Sequence, residues 1–340
     1  MKDQIPFFEY DREKIVKKLG RDTALHLLKE MLRIRNFEIR AEAGYQQGKI
    51  GGFLHLYIGE EAIQTAATHV MGPNNWYSTS YRCHAMALLL GESASSLMAE
   101  LYGKATGNAL GRGGSMHMYS KRMLGGFGIV GGQIPVATGA ALTCKYLEKK
   151  DEISVCFFGD GAVPQGVFHE SLNLASLWSL PCMYVIENNN WSMGTPLHRT
   201  IANHKQFSNL FAKAYGVRHY LLDGMDIFQC IAGFEDAYTY VKKEGRPVVI
   251  ECRTDRFRGH SISDPGLYRT KEELSACVEK DPILLLKNEL LARSFLSESD
   301  YKELEQQCRE EMITAVKEAD EAPFPDPQTA EFEPLAPRCV

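Results

Sequence analysis

Between Arg21 and about Gln47, apolar residues fall at Leu25, Leu28, Met31, Leu32 and Ile39, with Lys29, Glu30, Arg33 and Arg40 between them. That spacing predicts an amphipathic helix with one buried stripe. A glycine-bearing stretch follows, Gly48-Lys49-Ile50-Gly51-Gly52-Phe53-Leu54-His55, and a second helical pattern runs from Glu60 to Val70. Farther along, the pattern changes to short unbroken apolar runs. Ile153 to Phe158 reads as a buried strand ending at Gly159-Asp160-Gly161. Met183 to Ile186 reads as a second, stopped by Glu187-Asn188-Asn189-Asn190, and Pro247 to Cys252 as a third. Val167 to Leu180, with Leu172, Leu174, Ala175 and Leu177, reads as a helix joining the first two. Strands alternating with helices of this length predict an α/β fold, a parallel sheet covered by helices on both faces. Such units close right-handed, and ligands collect at the carboxyl ends of the strands.

From Lys271 to about Asp320 the chain is charged and helical in pattern, with Asp281-Pro282 at one helix start. Beyond it, Pro323, Pro325, Pro327, Pro334 and Pro337 predict a tail that is extended on the surface or frayed. The expected organisation is an N-terminal helical extension (1–50), an α/β domain (51–270) and a C-terminal helical extension with the proline-rich tail (271–340).

Composition narrows the class. With 44% apolar and 24% charged residues in 340, the chain is globular rather than disordered or fibrous. Its 38 basic and 43 acidic residues leave a net charge of −5, which argues against nonspecific binding to nucleic acid or to an anionic membrane. No apolar run approaches the ~18 residues that a bilayer span needs. Nine cysteines lie between Cys83 and Cys339 without a CxxC pair, so neither a zinc site nor an oxidised scaffold is expected. The start, Met1-Lys2-Asp3-Gln4-Ile5-Pro6, has no signal or transit pattern. A soluble chain is expected, in a bacterial cytoplasm or, as a mature chain, in an organellar matrix.

The chemistry concentrates in Gly159-Asp160-Gly161 and Asn188-Asn189, each just past a predicted strand, with one helix between. Alone, each is an ordinary turn former. Together, on parallel strand ends, they offer a carboxylate and an amide oxygen, hard donors suited to Mg²⁺ or Ca²⁺. Mg²⁺ commonly completes its shell with a substrate or cofactor phosphate, and glycine lets the backbone approach that phosphate.

GDG followed by twenty-odd residues and NN resembles the thiamine diphosphate binding motif. Tyr81-Arg82-Cys83-His84, Gly111-Arg112-Gly113-Gly114-Ser115-Met116-His117, Gly128-Ile129-Val130-Gly131 and Arg258-Gly259-His260-Ser261-Ile262-Ser263-Asp264-Pro265 narrow the match. They resemble the E1 component alpha subunits of 2-oxoacid dehydrogenase complexes, most closely those acting on pyruvate, in order from about Arg21 to Asp320. The resemblance implies thiamine diphosphate and Mg²⁺ as cofactors. It implies Asp160, Asn189 and the Trp191 carbonyl as metal ligands, and Gly161, Ala162, Tyr81 and Arg82 as contacts of the diphosphate. Gly128 and Val130 fall beside the aminopyrimidine ring, and His260 beside the diphosphate and the reacting carbon. Phe53 and His55 fall near the substrate, which makes His260 and His55 the candidate catalytic residues. It further implies decarboxylation of pyruvate with acetyl transfer to the lipoyl group of the E2 component. A second parallel-sheet domain is not legible in this chain, so a separate E1 beta subunit, an α2β2 heterotetramer and inactivity of the lone chain are implied. An acetoin or branched-chain 2-oxoacid dehydrogenase subunit is the alternative substrate reading.

Two readings from other classes compete. Gly126-Phe127-Gly128-Ile129-Val130-Gly131 satisfies GxGxxG, but Lys121-Arg122-Met123-Leu124 before it does not read as the buried strand that an NAD site needs. A non-catalytic scaffold has no use for metal and phosphate ligands. The loop from Arg258 to Thr270 is polar and expected to be mobile until a cofactor binds. Ser261 falls where eukaryotic members of the resembled family carry a regulatory phosphoserine. The loop is one residue shorter than theirs after Gly266, and Pro196 replaces another such site, so kinase control is not expected to transfer.

Overall fold

The computed structural model describes residues 5–149 and 151–328. Its centre is a sheet of six parallel strands: β1 (Trp76–Ser80), β2 (Met123–Phe127), β3 (Ser154–Gly159), β4 (Cys182–Asn188), β7 (Arg218–Asp223) and β8 (Val248–Arg253), in the order β2-β1-β3-β4-β8-β7. Between β4 and β7, the short strands β5 (Trp191–Ser192) and β6 (Thr195–Pro196) form a separate antiparallel pair. Helices connect and cover the sheet: α1 (Arg12–Gln46), α2 (Glu61–Met71), α3 (His84–Leu89), α4 (Ala94–Leu101), α5 (Gln133–Tyr146), α6 (Gly166–Leu177), α7 (Leu197–Thr200), α8 (Phe207–Ala214) and α9 (Ile227–Glu244). At the C-terminal end come α10 (Lys271–Val278), α11 (Pro282–Ala292) and α12 (Glu298–Glu321). The α/β prediction holds, and among the described residues no helix is long and apolar enough to cross a membrane.

The central strands are buried on both faces, and their side chains divide with the two-residue period of the pleat. Val155 and Phe157 of β3 and Met183 and Val185 of β4 join the core packed under α1, α2 and α9. Cys156, Phe158, Tyr184 and Ile186 join the core under α5, α6 and α8. Because neither face meets water, these segments read as continuous apolar runs.

Three sheet strands escape that pattern. β1 is Trp-Tyr-Ser-Thr-Ser, β2 carries two glycines, and β7 begins with Arg218 and His219 at the sheet edge. The expectation of no strand before the GxGxxG glycines is therefore corrected. β2 does stand there, but Gly126 lies within it, paired with Thr79. A Cβ on Gly126 would come within 2.5 Å of Cys83 Sγ, so this glycine serves close packing, which still leaves no dinucleotide fingerprint. The first predicted helix begins where expected: Gly20, at φ +68° and ψ 178°, is non-helical and breaks α1 just before Arg21. The helical segment ahead of the break was not predicted, and Asp11 caps it by accepting from Lys14 N at 3.1 Å. Asp281 caps α11 from the residue before Pro282, as expected. The tail starts against the loop after α4, where Pro323 O accepts from Ala105 N, while Pro334, Pro337 and Cys339 lie outside the described residues.

Candidate functional site

The chain order reverses between β1 and β3: β1 is followed by β2 on one side, β3 by β4 on the other. Such a switch point opens a crevice at the carboxyl ends of the strands. A cavity of about 250 Å³ lies there, lined by Glu60, Ser80, Tyr81, Arg82, Val130, Gly131, Gln133, Gly159, Asp160, Gly161, Ala162, Gln165, Glu187, Asn189, Trp191, Ser192, Met193, Arg256 and His260. The ends of β1, β3 and β4 and the segments that follow β2 and β8 thus converge on it.

Asp160 and Asn189 meet because β3 and β4 run in register, Gly159 opposite Glu187. Asp160 is 1% exposed and its Oδ2 has no hydrogen-bond partner. Burial pushes its carboxyl up to about 7, although its own backbone amide and that of Asn189 pull the other way. Ser192 Oγ and Gln133 Oε1 are likewise buried and without partners. A pocket holding three orphaned oxygens asks for a ligand that supplies donors or a cation. A Cβ on Gly161 would stand 2.8 Å from Ser192 Oγ, so glycine is needed for the Asp160–Ala162 turn to pass beneath the β5 segment. The donor set of carboxylate, carboxamide and carbonyl is the hard-oxygen set that Mg²⁺ takes.

Around this centre lie charges that the sequence did not single out. Glu60, 1% exposed, accepts from Asn189 Nδ2 at 3.2 Å and lies 4.0 Å from Arg82 Nε. Glu187 accepts from Gln64 Nε2 at 3.1 Å and from the Tyr57 hydroxyl, and burial beside Glu60 pushes it up to about 8. Arg256 is buried with its Nε on Arg258 O at 3.1 Å and a terminal nitrogen on Tyr268 Oη at 2.8 Å. Burial first and then Arg82 hold its guanidinium below the usual range. Arg82 donates to Leu56 O at 2.7 Å and His260 O at 2.6 Å.

An aromatic group closes one wall. His55 stacks at 4.3 Å from Tyr81 and 5.1 Å from His260, and Tyr81 lies 5.5 Å from His260. Burial, then the charge of Arg82, lowers His260 to about 3 and His55 to about 2, so both rings are neutral near pH 7. The loop after β8, expected to be mobile, is tied down. Asp264 accepts from His260 N at 2.6 Å, Gly266 N at 2.9 Å and Tyr268 Oη at 2.7 Å, while Arg269 donates to Arg256 O and Arg258 O. Tyr268 packs on Trp191 at 4.8 Å, and Ser261 is 8% exposed with its hydroxyl on that of Ser263.

Of the residues singled out in the sequence, Tyr81, Arg82, Val130, Asp160, Gly161, Ala162, Asn189, Trp191 and His260 line the cavity. His55 stands behind Tyr81, Phe53 is 62% exposed at 6.3 Å from His55, and Gly128 lies against His117 rather than on the cavity wall. Residues 29–328 match the family described as Dehydrogenase E1 component. The chain belongs to that family. The E1 match agrees with relatives named pyruvate dehydrogenase E1 component subunit alpha. One from Rickettsia felis is 41% identical over 88% of this chain and 91% of its own length. One from Rickettsia prowazekii is 42% identical over 87% and 91%. A mitochondrial one from Sminthopsis macroura is 38% identical over 90% and 84%. Among the residues lining the cavity that sequence reading did not single out are Glu60, Gln133, Glu187, Ser192 and Arg256. Glu187 and Arg256 adjoin motifs already quoted, which was the one available signal.

Proposed function

We propose that the chain is the alpha subunit of a thiamine diphosphate-dependent pyruvate dehydrogenase E1 component, working with Mg²⁺ and a beta subunit in an α2β2 assembly. The observation that carries this reading is the buried, partnerless Asp160 Oδ2 beside Asn189 at the strand switch point. Asp160, Asn189 and the Trp191 carbonyl would hold the cation, whose phosphate ligands the Gly161-Ala162 turn and Arg82 would accompany. When bound, thiamine diphosphate supplies the carbanion chemistry that decarboxylates a 2-oxoacid. The chain's own residues bind and orient. Arg82 and Arg256 offset diphosphate charge in a buried setting, where such interactions are strong. His260, on the cavity wall, and His55, behind Tyr81, are both neutral, so their rings can orient a bound group by hydrogen bonding without adding charge.

The acyl product is expected to pass to the lipoyl group of an E2 component, in a bacterial cytoplasm or an organellar matrix. The described residues hold one parallel-sheet domain, so a beta subunit would complete the site. The test is co-expression of this chain with its beta subunit, followed by turnover assays with pyruvate, branched 2-oxoacids and acetoin, each read by reduction of an artificial electron acceptor. Pyruvate turnover that needs both subunits is expected. Turnover by the lone chain, or a preference for another substrate, refutes the respective part.

A further inference from the structure

The turn after β4 carries successive asparagines, and a carboxamide does not by itself dictate which end faces a ligand. Asn188 is oriented from below. Its Nδ2 donates to Glu251 Oε1 at 2.8 Å, which leaves its Oδ1 to accept from Asn190 N at 3.0 Å. That second bond closes an Asx turn around Asn189. Asn190 then leaves at φ +66°, and its carbonyl accepts from Leu197 N at 2.9 Å. The turn so held carries Asn189, whose Oδ1 accepts from Trp191 N at 3.3 Å, and Trp191, and both residues line the cavity with Asp160.

Glu251 lies on β8, 1% exposed, on the face where Val249 packs into the apolar core under α8. A carboxylate in an apolar row is costly unless every lone pair is engaged. Here Arg253 Nε donates to it at 3.2 Å, and the Ser208 hydroxyl donates as well. Having given its proton to Glu251, Ser208 Oγ must accept from His219 Nε2 at 2.9 Å. A carboxylate accepts only, so its partners have no alternative orientation. β4, β7, β8 and α8 are thus pinned to one side chain, and the pin reaches the turn through Asn188.

We propose that Glu251 is a positioning residue for the divalent cation: acting through Asn188, it fixes the turn that offers Asn189 and Trp191 to the metal. This rests on the cofactor reading above. Glu251 does not line the cavity, so its influence on the cation has to pass through its partners.

The experiment titrates Mn²⁺ in the presence of thiamine diphosphate into the full chain co-purified with its beta subunit, by calorimetry, alongside kcat and the apparent KM for the cation. Glu251→Met should raise the Mn²⁺ Kd about tenfold or more, the usual effect of losing a support behind metal ligands. Its kcat should recover at saturating cation. Glu251→Gln keeps an acceptor for Asn188 and should restore most of the affinity. Asn188→Ala should match the Met variant, and the double variant should be no worse than either. Thr138→Val, which removes a hydroxyl 2.7 Å from Tyr184 Oη in the same core, should lower stability without moving the Kd. An unchanged Kd in Glu251→Met, or losses that add in the double variant, would overturn the proposal. If Glu251→Met does not fold, Asn188→Ala still tests the route, since an unchanged Kd there would overturn the proposal as well. Wild-type protein that binds no Mn²⁺ with the cofactor would instead sink the cofactor reading, and this inference with it.

Discussion

Replacing Asp160 by Asn should move stability and cofactor response in opposite directions. The Asp160 carboxyl is 1% exposed, with one oxygen unpartnered, and burial lifts it from an ordinary 3.8 to about 7. A carboxyl raised in the fold keeps its proton where the unfolded chain has lost it. Its contribution to stability is therefore full below pH 3.8, falls as pH rises to about 7, and is level above that. At about 1.4 kcal/mol per pH unit, the ionised group costs the metal-free protein about 4 kcal/mol at pH 8. Asn has the same shape without the charge. Metal-free Asp160→Asn should then melt a few degrees higher at pH 8, since a 340-residue chain gains roughly 1.4 °C per kcal/mol. The wild type, given thiamine diphosphate and Mg²⁺ at about a hundred times Kd, should gain about 2.7 kcal/mol, or roughly 4 °C. The variant should gain almost nothing. Differential scanning fluorimetry of both proteins, with and without cofactors, at pH 5.5 and pH 8, tests all of this. Equal stabilisation of wild type and variant by the cofactors would refute the assignment of Asp160. A metal-free variant no more stable than wild type at pH 8 would refute the electrostatic account.

Glu100 accepts backbone amides from Ala109, Gly111, Gly113 and Gly114 at 2.7–3.0 Å. Glu100→Ala should cost about 4 kcal/mol in urea unfolding and open 105–117 to protease, and unchanged cleavage would contradict it. Gly161→Ala sets a methyl 2.8 Å from Ser192 Oγ and 3.1 Å from its Cβ, so cofactor affinity should fall at least about tenfold. Ser192→Gly should recover part of that loss in calorimetry, and wild-type affinity in Gly161→Ala would remove the close-approach argument. Burial, then Lys213 and Arg253, hold His219 down to about 4. It folds neutral while the unfolded chain protonates below about 6.5, so stability should fall from pH 6.5 toward 4 by at most about 3 kcal/mol. Urea midpoints across that range should flatten in His219→Gln, and an unchanged profile would exclude His219 as the source.

The sequence alone determined what depends on local pattern. β3, β4 and β8 were legible because a parallel strand buried on both faces is an unbroken apolar run. Asp160 and Asn189 were legible because turn residues follow such runs. The edge strands were not, since β7 opens with Arg218 and His219 and β2 contains Gly125 and Gly126, and pairing rather than composition makes them strands. Tertiary structure alone decided that β3 and β4 lie in register, which brings Asp160 to Asn189. It also decided which charges would be buried. Glu60, Glu187, Glu251 and Arg256 resemble any surface residue in the sequence, because desolvation belongs to the packed environment and not to the side chain. The donors that offset that desolvation, such as Ser208 and Asn188 at Glu251, come from segments dozens of residues away, and only the closed sheet brings them within hydrogen-bond reach.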